Sequence, residues 1–292
     1  MDGAMGTELQ RAGIREGECY ELWNLTHPDR VRAIHQAYVD AGAEVLLTNT
    51  FQVVRTSLGR HDPTPWGPSP YDETRKLIAL QWSAYALCRS ACGPERFVLA
   101  DIGSYLAGSR AGEFSDLSRL RRAVAWIGRT DALLLETCST PRVRLAVRAA
   151  HKVYPGLPVL LSLTYLRDRS GRVQTISGHS PEWFAERAEQ WGVAALGVNC
   201  GRDIGMDDII EIVRRYRAVT ALPLFARPNA GTPKRKGKHW VYPHTPATMA
   251  KRLPELLEAG VCMVGGCCGT TPEHIAAFRP IIDRWNARSS GG

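Results

Sequence analysis

Short apolar runs alternate along the chain with amphipathic segments of a dozen or more residues. The apolar runs predict buried strands, and the amphipathic segments predict helices. The predicted strands are Val45–Thr48, Phe97–Ala100, Ala132–Leu135, Pro158–Leu163, the run from Ala194 to Val198, Leu222–Ala226 and Val261–Val264. The predicted helices are Pro28–Gly42, Tyr71–Cys92, Leu117–Arg129, Pro141–Val153, Ser180–Trp191, Asp207–Val219, Pro246–Ala259 and Pro272–Trp285.

This alternation indicates βαβ units and a parallel sheet, so we expect the α/β class. Counting the opening segment as the end of a first strand gives eight units, which predicts a (β/α)8 TIM barrel over residues 1–292 as one domain. A strand needs about five residues, and only Met1 precedes Asp2. We therefore expect strand one to be truncated or missing, with a gap beside the active site. A doubly wound open sheet is the alternative, but the dinucleotide-binding glycine spacing is absent.

Composition limits the classes of function. Hydrophobic residues make up 44% and charged residues 23% of the 292 residues, as in ordinary globular proteins. No apolar run approaches the about 20 residues of a membrane span, and no secretory leader is recognised. The eight cysteines then suggest a reducing compartment, and we expect a cytoplasmic protein. The net charge of +8 favours acidic partners, but no nucleic-acid motif is present, so neither nucleic acid nor membrane is an expected partner.

Polar residues stand out at or just after the predicted strands. In a parallel barrel the carboxyl ends of the strands share one rim, where active sites form. We therefore expect these side chains to lie on a common rim: Asp2, Asn49, Asp101, Glu136, Thr164, Cys200, Asn229 and Cys267.

Three of the cysteines have metal-ligand character. Cys267 and Cys268 follow the strand Val261–Val264, and Cys200 follows the strand that starts at Ala194. Three thiols at the ends of parallel strands could converge on one zinc ion, and a site with three protein ligands leaves a fourth position for substrate. The alternative is that they are small hydrophobic residues in a reduced core.

The segments GVNCG and GGCCGTTPEHI resemble the zinc signature of the homocysteine S-methyltransferase family. That family includes the homocysteine-binding module of cobalamin-dependent methionine synthase and betaine-homocysteine methyltransferase. The segments DGAMGT, TNTF and LLLET extend the resemblance over essentially the whole chain. It implies a Zn²⁺ cofactor on Cys200, Cys267 and Cys268, with no catalytic residue beyond the zinc site.

The resemblance also implies how an amino-acid substrate is held. Glu136 and Asp2 are expected to bind the substrate amine, and backbone amides near Gly3 and Gly266 its carboxylate. Thr137, Asn49 and Thr50 are carried as further residues near the substrate. An alternative for Glu136 is a structural ion pair with an arginine, because a buried carboxylate is costly unless it is paired.

The expected chemistry is methylation of a thiol. A free thiol with a pKa of about 8.5 is only a few per cent thiolate at neutral pH, and coordination to zinc deprotonates it. The expected reaction gives methionine from homocysteine, and the expected donor is S-methylmethionine, S-adenosylmethionine, betaine or a methyl-corrinoid or folate partner. Alternatives are methyl transfer to another thiol or selenol, and a non-catalytic zinc- or thiol-binding partner of a corrinoid complex.

Two long loops are predicted on the cysteine rim, over residues 61–70 and 231–240. The second contains Lys234, Arg235, Lys236 and Lys238. This basic segment is either a mobile solvated loop or a recruiter of an anionic donor, such as a folate tail or an acidic corrinoid protein. Unaltered donor affinity and salt dependence after changing all four cations to serine would exclude recruitment.

Overall fold

The protein is represented by a computed structural model that describes residues 1–15, 18–53, 70–103, 124, 126–201, 203–237 and 239–289. Within these residues the helices are α1 (Met5–Arg11), α2 (Trp23–Thr26), α3 (Pro28–Asp40), α4 (Pro70–Cys92), α5 (Val143–Val153), α6 (Pro181–Ala188), α7 (Met206–Arg217), α8 (Pro246–Glu258) and α9 (Pro272–Ser289). The strands are β1 (Val45–Leu47), β2 (Phe97–Gly103), β3 (Ala132–Cys138), β4 (Val159–Leu163), β5 (Leu166–Arg167), β6 (Val173–Gln174), β7 (Ala195–Val198), β8 (Leu224–Ala226), β9 (Lys234–Lys236), β10 (His239–Val241) and β11 (Val261–Val264).

Seven strands form one sheet in the order β1-β2-β3-β4-β7-β8-β11. All neighbouring pairs in it are parallel. Strand order follows chain order, as it does in a barrel whose strands are joined by helical crossovers. The predicted α/β class is confirmed, and the architecture is that of a TIM-barrel-like fold with a shortened first strand.

The opening residues lie between the two edge strands of this sheet. The amide of Asp2 donates to Val45 O on β1 at 2.8 Å, and Asp2 O accepts from the amide of Gly266 just after β11 at 3.0 Å. The backbone nitrogen of Met1 donates to Val264 O at 2.6 Å. The expected gap beside the active site is therefore bridged at this rim by backbone hydrogen bonds.

Side chains on the strands alternate between two cores. Leu133 and Leu135 belong to the large core that also contains residues of the helices. Leu134 belongs to a separate cluster inside the curled sheet, together with Leu47, Leu99, Ala132, Leu160, Ala195 and Phe225. Since strand side chains repeat every two residues, the positions two beyond Leu99, Leu134 and Phe225 also face this interior. Those positions are Asp101, Glu136 and Arg227, so the apolar interior ends in a charged layer.

Several predicted elements differ from the observed ones. Strands β2 and β3 continue to Gly103 and Cys138, so Asp101 and Glu136 lie inside strands and not after them. The helix predicted to reach Trp191 ends at Ala188. Residues 117–123 and 125 of the helix predicted over 117–129 lie outside the described residues, and residues 126–129 are not helical.

The two predicted rim loops have different outcomes. Residues 61–69 lie outside the described part of the chain. In the basic segment, β9 and β10 pair as an antiparallel ribbon in which Arg235 is opposite Trp240, and Lys234, Arg235 and Lys236 are exposed. None of the helices that the structure describes is long and apolar enough to cross a membrane.

Candidate metal centre

The three predicted ligand cysteines meet at one end of the sheet. The Sγ atoms of Cys200, Cys267 and Cys268 all lie within 4.8 Å of one another. Cys200 is two residues beyond the end of β7, and the other two cysteines follow β11. The amide of Cys267 donates to Pro228 O at 2.9 Å, which holds the turn after β11 against the end of β8.

Shared protons link the three thiols. Hydrogen bonds from Cys200 and Cys267 hold the pKa of Cys268 well below its usual range. The hydrogen bond to Cys267 raises the pKa of Cys200 well above its usual range. One thiolate is thus stabilised by two protonated neighbours, and loss of all three protons requires a cation between the sulfurs. The residues present therefore fit a thiophilic metal ion.

A neutral oxygen acceptor lies beside the thiols. Asn229 Oδ1 is buried and has no hydrogen-bond partner. The next residue, Ala230, donates its amide to Cys268 O at 3.0 Å. Because buried polar atoms nearly always have a partner, this orphaned oxygen is a second observation that suits a cation at this position.

Tyr242, at the end of the basic ribbon, also reaches the thiols. Its hydroxyl forms a hydrogen bond with Cys268, which contributes to the low pKa of that thiol. The ring packs on the turn after the cysteines, where a Cβ on Gly269 would lie 2.1 Å from Tyr242 Cγ. Gly269 also has a φ of +81°, so both the close approach and the backbone require glycine.

Arg227 is the centre of a buried charge network. Its side chain donates to Glu136 through Nη1, to Asp2 Oδ1 at 3.3 Å and to Gly3 O at 3.1 Å. The other oxygen of Asp2 accepts the amide of Leu47 at 2.8 Å. The ion pair between Glu136 and an arginine, kept open from the sequence, is therefore present.

Burial controls the ionisation of this network. It raises the pKa of Glu136 to about 7, against the opposing attraction of Arg227. Burial also raises the pKa of Asp2. The pKa of Asp101 lies well above its usual range because of burial first and the Glu136 carboxylate second. A site that disfavours its own carboxylates in this way is suited to an incoming cation.

Asn199 connects the Glu136 strand to the cysteine strand. In the amide orientation that satisfies both ends, Asn199 donates to Ser162 Oγ at 2.8 Å and accepts from Thr137 Oγ1 at 2.7 Å and from the amide of Cys200 at 3.3 Å. Thr137 has a φ of +58°, which is unusual and strained for a β-branched residue. The strain lies where the β3–β4 register shifts, between Leu135 and Cys138.

The remaining predicted substrate residues are engaged within the protein. Asn49 Nδ2 donates to Tyr20 O at 2.9 Å, and Thr50 Oγ1 donates to Asp101 O at 2.6 Å. The amide of Gly266 donates to Asp2 O at 3.0 Å, so this arrangement does not leave it free for a substrate carboxylate. Substrate roles for these residues stay predictions.

The comparisons with known proteins agree with this geometry. The sequence profile of the family described as homocysteine S-methyltransferase matches residues 1–282. The chain belongs to this family. Relatives include the methionine synthase of Mycobacterium leprae (strain TN), 30% identical over 98% of this chain and 24% of that protein. The methionine synthase of Mycobacterium tuberculosis is also 30% identical, over 94% of this chain and 24% of that protein.

The chain thus spans about a quarter of the length of these family members, 24% in each case. Among solved structures, the homocysteine methyltransferase MmuM from Escherichia coli in its metallated form matches with a TM-score of 0.71 and 24% identity, over 96% of this chain and 95% of that one. Its apo form matches with a TM-score of 0.67. These structural matches show the fold that the family shares.

Proposed function

We propose that this chain is a zinc-dependent homocysteine S-methyltransferase that produces methionine. The observation that carries the proposal is the meeting of Cys200, Cys267 and Cys268, whose sulfurs lie within 4.8 Å of one another on the site rim. Membership of the family over residues 1–282 supports the same reaction. The charged layer beside the thiols supports an amino-acid substrate.

The three cysteines would hold the zinc ion as thiolates. When bound, zinc keeps the substrate sulfur deprotonated at neutral pH, and thiolate ligands leave that sulfur rich in electrons. Arg227 offsets the charge of Asp2 and Glu136 beneath the thiols. Asn199 and Thr137 hold the Cys200 backbone against β3.

The reaction forms a bond between the homocysteine sulfur and the methyl carbon. The bond between that carbon and the donor atom breaks, and its electron pair leaves with the donor. The thiol proton passes to solvent. The donor we propose is a small onium compound, S-methylmethionine, S-adenosylmethionine or betaine, or a methyl-corrinoid or folate partner. The exposed basic ribbon ends at Tyr242 beside Cys268, which suits recruitment of an anionic donor.

Metal content and turnover test the proposal. The purified protein should contain about one zinc ion per chain, and Cys200→Ser should lose it. The matched control is Cys262→Ser, because Cys262 is exposed and lies outside the thiol cluster. Homocysteine is then offered with each of four donors: S-methylmethionine, S-adenosylmethionine, betaine and methylcobalamin. Zinc retention in Cys200→Ser would refute the metal site, and failure with all four donors would favour a binding role.

Cellular context remains a prediction. All eight cysteines are free, in agreement with the reducing compartment expected from the sequence. We propose a cytoplasmic enzyme whose residues 1–292 act as one homocysteine-binding domain.

A further inference from the structure

Buried polar atoms without partners mark the substrate end of the site. Among the described residues, eight buried side-chain nitrogen or oxygen atoms lack a hydrogen-bond partner, and three of them belong to Asp101, Arg227 and Asn229. All three residues lie at the carboxyl ends of β2 and β8. Asn229 is beside the thiols, as described above. The other two are a charged donor and a charged acceptor, Arg227 Nε and Asp101 Oδ1.

The guanidinium of Arg227 has one free position. Nη1 is bound to Glu136, and Nη2 is bound to Asp2 Oδ1 and Gly3 O. Nε is buried and donates to nothing, although only 3% of the residue is exposed. Because a buried charged donor is costly to leave unpaired, this position is suited to an acceptor that arrives with the substrate. A carboxylate is the acceptor that matches a guanidinium best.

A second free donor lies beside it. The amide of Gly3 makes no hydrogen bond with the described residues, and the carbonyl of the same residue accepts from Arg227. A Cβ at Gly3 would lie 2.8 Å from the Tyr38 ring and 2.9 Å from Thr270 Oγ1. Backbone and guanidinium therefore approach each other closely at a point where a side chain has no room.

The free acceptor is Asp101 and not Asp2. Both oxygens of Asp2 are already occupied, one by the Leu47 amide and one by Arg227. Asp101 Oδ1 has no partner, and the residue is 6% exposed. Asp101 lies in the same electrostatic cluster as Glu136, Arg227 and Cys267. An ammonium group would satisfy its carboxylate.

We propose that Arg227 Nε and the Gly3 amide bind the α-carboxylate of the amino-acid substrate, while Asp101 accepts its ammonium group. This inference rests on the proposed function, because it takes a thiol-bearing α-amino acid as the substrate. It makes Arg227 the residue that selects for a carboxylate, and it moves the amine contact from Asp2 to Asp101.

Substrate fragments test the proposal on the zinc-loaded protein. The dissociation constants of three thiols are measured by calorimetry: homocysteine, 3-mercaptopropylamine, which lacks the carboxylate, and 4-mercaptobutanoate, which lacks the amine. A charge-assisted hydrogen bond should make homocysteine bind about 10- to 100-fold more tightly than either fragment. Equal binding of homocysteine and 3-mercaptopropylamine to the wild type would overturn this inference alone.

Two variants assign the contacts. Arg227→Lys keeps a cation between Asp2 and Glu136 but removes Nε, so the preference for homocysteine over 3-mercaptopropylamine should fall to within about threefold. The preference over 4-mercaptobutanoate should persist in this variant and collapse in Asp101→Asn. The matched control is Arg215→Lys, because Arg215 pairs with Glu182 far from the thiols in a similar two-bond contact.

A purely structural Arg227 gives a different pattern. If it served only to hold Asp2 and Glu136, Arg227→Lys would weaken amine discrimination and leave the carboxylate preference intact, which would overturn the inference. Failure of the zinc-loaded wild type to bind homocysteine at all would overturn the proposed function and this inference together. Circular dichroism and thermal unfolding establish that each variant is folded.

Discussion

Glu136 is predicted to reduce the stability of the protein at neutral pH. Burial raises its pKa from the usual 4.5 to about 7, and this value already includes the attraction of Arg227. Between these two pH values the folded protein keeps a proton that the unfolded chain has released, so stability falls as the pH rises. At about 1.4 kcal/mol for each pH unit, the loss is about 3 kcal/mol by pH 7 and does not grow above it.

The perturbation is Glu136→Gln, which cannot ionise. We expect it to equal the wild type at pH 4.5 and to be more stable by about 3 kcal/mol at pH 8. Arg227 keeps an anionic partner in the variant, because Asp2 Oδ1 lies 3.3 Å from Nη2. The usual penalty of about 3–5 kcal/mol for leaving a buried charge unpaired therefore does not apply in full.

Urea unfolding followed by circular dichroism at pH 5, 6, 7 and 8 measures this difference. The samples contain a chelator and a reductant, so that metal binding does not contribute. Glu258→Gln is the control, because Glu258 is exposed at the end of α8. If Glu136→Gln were less stable than the wild type at pH 8, ion pairing would outweigh desolvation and the reasoning would be wrong.

Two further changes test other parts of the structure. His35→Leu should remove a loss of stability of about 3 kcal/mol that the wild type shows as the pH falls from 6.5 to about 4, because burial lowers the pKa of His35 to about 4 and neither ring nitrogen has a partner; chemical unfolding at each pH measures this, and parallel pH curves would refute it. Gly266→Ala should cost about 1–3 kcal/mol, because a Cβ there would lie 2.3 Å from Thr270 Oγ1; an unchanged melting temperature would contradict the packing.

The strand pattern predicted the site as far as local periodicity reaches. Cys200, Cys267 and Cys268 were identified because each follows an apolar run, and parallel strands end on one rim. Asp101 and Glu136 were placed at that rim, although the strands proved longer. In each case the information lies within about ten residues of the chain, which is why it could be extracted without the structure.

Arg227 was missed because its role depends on distant partners. It lies two residues beyond Phe225 in the same strand register, so periodicity could have placed it in the interior. Its pairing with Glu136 joins residues 91 apart, and the one with Asp2 joins residues 225 apart. Such contacts follow from closure of the sheet and not from local pattern. The same is true of Tyr242, which reaches Cys268 from the end of the ribbon.

Charge balance explains why an arginine is buried beside these thiols. Zinc held by three thiolates carries one net negative charge, and a substrate thiolate adds another. Asp2 and Glu136, buried in the same interior, would add two more and oppose the thiolate form of the substrate. Arg227 cancels one of these charges, and the substrate ammonium can cancel a second. An amino acid with its charged groups intact is therefore better matched to this site than a simple thiol, because its ammonium completes the neutralisation while its carboxylate occupies Arg227 Nε.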